Sequence, residues 1–176
     1  MEREGLVHVT WLPYELHPEA PIDGIPREAY FGRARSESMR DHMRSVASSV
    51  GLEMHTRDVI INSRRALASA ELARERGSFD AMHRALFKAH WEGTGKLEDV
   101  DDLVRIGTTV GLDAGELRSA IEEDTYAGVI DENRRMAMSV GIDAIPAHVF
   151  GRRFLLLGAQ PYEVFKQVID RLSSPD

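Results

Sequence analysis

Gly141-Ile-Asp-Ala-Ile-Pro146-Ala-His-Val-Phe150 decides the fold of this 176-residue chain. A long polar stretch with helical periodicity ends at Gly141, and an apolar run begins directly after Pro146. A two-residue turn, Gly151-Arg152, leads into a second apolar run, Phe154-Leu-Leu-Leu157. Gly158-Ala-Gln-Pro161 then opens a last amphipathic helix. The order is helix, Ile-Pro, strand, tight turn, strand, glycine, helix. Pro146 itself has two readings. A trans proline commonly begins a strand, and only about 5–6% of X-Pro bonds in folded proteins are cis.

The whole length fits one domain, residues 1–176, large enough to bury a sizeable core. A net charge of −7 argues against a nucleic-acid partner, because the basic residues are scattered among acids along helices. No run approaches the ~20 apolar residues of a membrane helix. Met1-Glu-Arg-Glu-Gly5 lacks the apolar core of a signal peptide, so the sequence reads as cytoplasmic and free of membrane contact. The chain has no cysteine. That excludes disulfides, thiolate metal sites and a cysteine nucleophile within these residues.

Val7-His-Val-Thr-Trp11 alternates as a β-strand does. Three prolines between Leu12 and Pro21 stop it and open an extended loop, which offers Trp11 and Tyr14 as rim groups. Trp11 reads equally as a core residue. Pro26 suits the first turn of a helix running to Val50, with Gly51 as its C′ residue. Val59-Ile-Ile61 fits a strand or an apolar plug. Asn62-Ser63 fits an N-cap, with the helix ending at Gly77. A helix beginning at Ser78 or Asp80 runs to Trp91, and Gly93-Thr-Gly95 breaks it. Leu97–Gly111 and Leu112–Asp124 form two short helices, the second capped by Asp113 with Glu116 as capping-box partner. Tyr126–Val140 is a further amphipathic helix, with Val129, Ile130, Met136 and Val140 as its core face.

Together these blocks resemble the DsbA-like branch of the thioredoxin superfamily. The nearest likeness is to the polyketide-pathway dithiol–disulfide isomerases and, further off, the 2-hydroxychromene-2-carboxylate isomerases. The likeness is carried by Trp11–Pro18, Asn62-Ser63, Phe87–His90, Gly111-Leu-Asp113, Gly141–Pro146 and Phe154–Phe165. It implies an α/β, thioredoxin-like fold with a large all-helical insertion over roughly residues 25–140. It also implies that Pro146 is cis and faces an active site.

Members of that family begin with a strand followed by a Cys-x-x-Cys or related motif at a helix N-terminus. Here the sequence starts at the family's second core strand, so the first core strand and the reactive motif are missing. In the family that strand lies between the ones represented by Val7–Trp11 and by the run after Pro146. Three arrangements close the gap: a longer native protein, a strand donated by another chain, or direct pairing of the two flanking strands.

The resemblance implies a dithiol–disulfide oxidoreductase or isomerase, inactive in thiol chemistry as given. The alternative is a non-catalytic binding module. It would use Ala144, Ile145 and Pro146, with Trp11 and His148 nearby, to hold an extended peptide or a small hydrophobic ligand. A homodimer or a strand-donating partner follows from the gap, and no cofactor is implied. A cysteine-free isomerase using His148 is the weakest reading, since a strand histidine with its bonds satisfied explains that residue as well.

Other constellations point to structure. His83 and His90 share a helix face, but two ligands do not make a zinc site. Glu122-Glu-Asp124 reads as a solvated helix face. Ala159-Gln160 departs from the Asp-Arg pair with which the chromene-carboxylate isomerases hold glutathione.

Overall fold

The computed structural model describes residues 4–173. Its helical part holds the core. Helices α1 (Arg27–Phe31), α2 (Arg33–Ser49), α3 (Arg64–Glu75), α4 (Phe79–Glu92), α5 (Val100–Thr109), α6 (Ala114–Glu122) and α7 (Ala127–Ser139) follow one another. Only the short antiparallel pair β1 (Ile25–Pro26) and β2 (Val59–Ile60) interrupts them. Helix α3 is central and packs against α4, α5, α6 and α7. Its buried Ala66, Ala68, Ala70 and Ala73 let those neighbours approach closely around Leu72. Met82, Leu103, Leu117 and Ile130 complete the core without exposed surface. Burying each such side chain contributes about 1.5–3 kcal/mol.

The contact between α5 and α6 is close. A Cβ added at Gly107 would run into Leu117 Cδ2. Gly107→Ala therefore overpacks the core, with an expected loss of about 1–3 kcal/mol, read as a lower urea midpoint at unchanged slope. An unchanged midpoint would show that this helix pair has room to spread.

Several local expectations meet corrections. The helix expected from Pro26 to Val50 is two helices, because Gly32 (φ +80°, ψ 153°) leaves helical space between them. Asn62 rather than Ser63 serves the α3 N-terminus, its Oδ1 accepting from Arg64 N at 2.9 Å. Asp113 caps α6 by accepting from Glu116 N at 2.8 Å. The Glu116 carboxylate has turned to Arg76, just past the end of α3, instead of closing the box. Asp124 is not simply solvated but pairs with Arg64 at 2.9 Å. The expected core face of α7 is mostly open: Ile130 is buried, but Val129, Met136 and Val140 are exposed.

After α7 the chain forms β3 (Ala147–Phe150), β4 (Phe154–Leu157) and α8 (Tyr162–Ser173). Gly151 and Arg152, both at positive φ, make the turn, and Arg153 N donates to Phe150 O at 2.9 Å. No strand forms over Val7–Trp11. A strand needs a ladder to a neighbour, and neither antiparallel pair includes that stretch. Direct pairing of the two flanking strands, one of the three expected solutions, is therefore not the one adopted. The hairpin stands as a two-stranded sheet.

Candidate functional site

The site is built where the α7 C-terminus, the Pro146 loop and the N-terminal segment meet. Tyr14 fixes that junction, its hydroxyl donating to Ile142 O at 3.2 Å. Arg74 Nη2 holds the same segment to α3 by donating to Trp11 O at 2.7 Å. Glu15, 2% exposed, lies one residue past Tyr14 and pairs with Arg64 at 3.0 Å. Beyond Ile142 the loop stands out: Asp143, Ala144, Ile145 and Pro146 are all exposed, and the Ile145–Pro146 peptide is cis.

Strand β3 leaves this loop with its bonding phase set. Gly158 N donates to Pro146 O at 2.7 Å, so Pro146 and Gly158 form a bonded pair opposite each other. In an antiparallel ladder bonded and non-bonded residues alternate. His148 and Phe150 therefore point their main-chain groups at β4, while Ala147 and Val149 point theirs away. On that outer side no strand pairs with β3 among the described residues. Side chains alternate as well. His148 and Phe150 pack against Phe165 of α8, with ring centroids 4.9 and 6.0 Å away. On the opposite face Val149 (57% exposed), Leu155 and Leu157 have nothing over them that buries them. The result is an open strand edge with an apolar face, preceded by an exposed Ile-Pro loop. Among the described residues no strand pairs with either outer edge of the hairpin, and the β3 edge is the one continuous with Pro146.

The expected site residues divide accordingly. Ala144, Ile145 and Pro146 lie exposed in the loop that precedes this edge. Trp11 is 48% exposed, so it is not core, but its ring is engaged by His83 of α4 at 4.6 Å. His83 sits among Trp11, Phe79 and Phe87, and burial, more than its charged neighbours, lowers its pKa. His148 points under α8 rather than toward the loop, and its buried Nδ1 has no hydrogen-bond partner. An acid–base role at the loop does not fit that orientation, and neither does a satisfied strand histidine. Gln160 Nε2 donates back to Leu157 O at 2.8 Å, which makes it a turn residue. The outward main chain of Ala147 and Val149 is the part that residue types could not mark. Its signal is geometric: the bond from Gly158 N to Pro146 O sets the phase of the ladder.

A family model, the DSBA-like thioredoxin domain, matches residues 2–170. The chain belongs to the DSBA-like thioredoxin domain family. It is 26% identical over 170 residues to the uncharacterized protein YwbO of Bacillus subtilis (strain 168), covering 93% of this chain and 81% of YwbO. The crystal structure of the probable DsbA oxidoreductase SCO1869 from Streptomyces coelicolor superposes with a TM-score of 0.85 at 28% identity. That match covers 97% of this chain and 76% of SCO1869. The fold is thus the thioredoxin-like fold of DsbA proteins, here mostly helical with few strands. Within this DSBA-like chain no residue is a cysteine, and among the described residues no helix is long and apolar enough to cross a membrane.

Proposed function

We propose that this chain supplies the substrate-holding part of a DsbA-type dithiol–disulfide exchange site. The redox cysteines would be carried on a segment outside residues 1–176, in the same polypeptide or donated by another. The observation that carries this reading is the unpaired β3 edge, where Ala147 and Val149 face outward beside the open Val149–Leu155–Leu157 face. An added strand would satisfy those main-chain groups and bury that face.

A helix N-terminus after such a strand would favour the thiolate form of a cysteine placed on it. The thiolate attacks a substrate disulfide, giving a mixed disulfide and a free substrate thiolate. A second cysteine then resolves it, leaving the pair oxidised and the substrate reduced. The Ala144–Ile145–Pro146 loop would hold the substrate as an extended chain next to the reacting sulfurs. Isomerisation is the redox-neutral form of the same exchange, and we place it in the cytoplasm.

The test is reconstitution. The 176-residue chain is mixed with a synthetic strand carrying Cys-x-x-Cys at the start of a helix, and insulin reduction by dithiothreitol is followed. The mixture is expected to work faster than the peptide alone, and the chain alone to add nothing. A mixture no faster than the peptide would contradict the proposal.

One observation favours a second reading. With no cysteine present, the same edge can serve as a binding groove for an extended peptide or a small hydrophobic ligand. Peptide binding to the unmixed chain, without any exchange activity in the protein isolated from its own cells, would select it.

A further inference from the structure

We propose that the outer edge of β4 docks a second copy of this chain, the two β4 strands pairing antiparallel about a two-fold axis at Leu156. The proposal goes beyond the exchange site, because it uses the side of the hairpin opposite the β3 edge.

The bonding phase of the hairpin supplies the groups. Phe154 and Leu156 lie opposite Phe150 and His148, the residues whose main chain points across the hairpin. Leu155 and Leu157 therefore turn their N–H and C=O groups outward. Gln160 Nε2 donates to Leu157 O at 2.8 Å, and that carbonyl has a second lone pair to offer. Among the described residues no strand pairs with this edge. Helix α8 lies over β3, with Phe165 against His148 and Phe150.

The strand carries none of the usual guards against pairing. Sheet edges that face water are commonly blunted by a proline, a charge or a bulge. Phe154-Leu-Leu-Leu157 has no proline and no charge, and its register with β3 runs without a bulge. Leu155 and Leu157 are 39% and 40% exposed. A two-stranded hairpin is also marginal by itself, and pairing two of them makes one continuous sheet of four strands.

The register is what selects a second copy. The two outward residues flank Leu156, so a two-fold axis there sets Leu155 of each copy opposite Leu157 of the other. Each such pair exchanges both of its N–H···O bonds, and the outward groups of both strands are met together. The same register sets Phe154 opposite Gly158, and Arg153 opposite Ala159, of the second copy. Arg152 and Arg153 of the two copies then lie at opposite ends, and no like charges face each other. On the open face the Leu155 and Leu157 side chains of the two copies become cross-strand neighbours, about 4.5–5.5 Å apart at Cβ, and shield one another.

Sedimentation equilibrium of the full chain tests this. A contact of such small area is weak, so half-association is expected on the order of 100 μM, the mass rising toward twice 19.7 kDa. Leu155→Pro removes an outward donor from each copy and no bond to β3, and is expected to weaken association by about 100-fold. If that variant fails to fold, Leu155→Lys decides, because it sets two ammonium groups diagonally across the axis. Val149→Pro blocks the β3 edge instead and is expected to leave the dimer unchanged. A chain that stays monomeric at millimolar concentration overturns the proposal. So does a dimer that survives the folded Leu155 variants, or one that Val149→Pro abolishes.

Discussion

Arg64→Ala is expected to cost about 3–5 kcal/mol, a large share of the roughly 5–15 kcal/mol that holds a domain of this kind. Arg64 opens α3 and binds three acids from three parts of the chain. Nη1 donates to Glu15 at 3.0 Å and to Asp131 at 2.9 Å, and Nε donates to Asp124 at 2.9 Å. Glu15 makes the site costly to break, because its side chain is only 3% exposed and would be left charged and buried. Asp124 and Asp131 are about half exposed and add little by themselves. Arg64→Lys should fall between, since one ammonium cannot span the guanidinium's three contacts. The same loss would release Glu15 beside Tyr14, and with it the tie to Ile142 below the Pro146 loop. Urea unfolding of the two variants checks this. A cost under ~1 kcal/mol for Arg64→Ala would mean that Glu15 finds water or another donor.

Val149→Pro should separate binding from stability. Its N–H faces the open side of β3, so proline there removes no bond to β4. Its ring also suits an edge strand, and the residue before it, His148, is already extended. The chain is expected to keep its unfolding midpoint within about 1 kcal/mol. An added strand would lose a main-chain donor and clash with the ring, so association should weaken by about ten-fold or more. His148→Pro is the control. It deletes a donor pointed at β4 and should loosen the hairpin itself. Titration of the cysteine-bearing peptide against both variants reads the contrast. Equal affinity for wild type and Val149→Pro would place the partner elsewhere.

The C-terminal third was legible almost residue by residue, for a physical reason. Its signals are local: positive φ at Gly151-Arg152, β-favouring runs of four residues on either side, and an amphipathic helix after Gly158. Asp113 was legible in the same way, since a cap acts within one turn. Val7–Trp11 was not. Its alternation marks β propensity, but a strand exists only through a ladder to a neighbour. For α7, periodicity found the apolar stripe Val129–Ile130–Met136–Val140 and could not say what covers it. The structure covers Ile130 alone. The Glu15–Arg64 pair joins residues 49 apart and has no local signature. The break at Gly32 was missed, because an isolated glycine inside a helical pattern is ordinarily tolerated. The exposed Ile145–Pro146 loop was placed from sequence, while the open edge that follows it came from the bonding phase of the hairpin.

The most direct measurement is the intact mass and free-thiol content of the protein isolated from its own cells, together with any chain tightly bound to it. The proposal expects a mass above the 19.7 kDa of these residues, or a co-purifying cysteine-bearing chain, with thiols that exchange with a disulfide. A species of 19.7 kDa that has no thiol and no associated chain would contradict it.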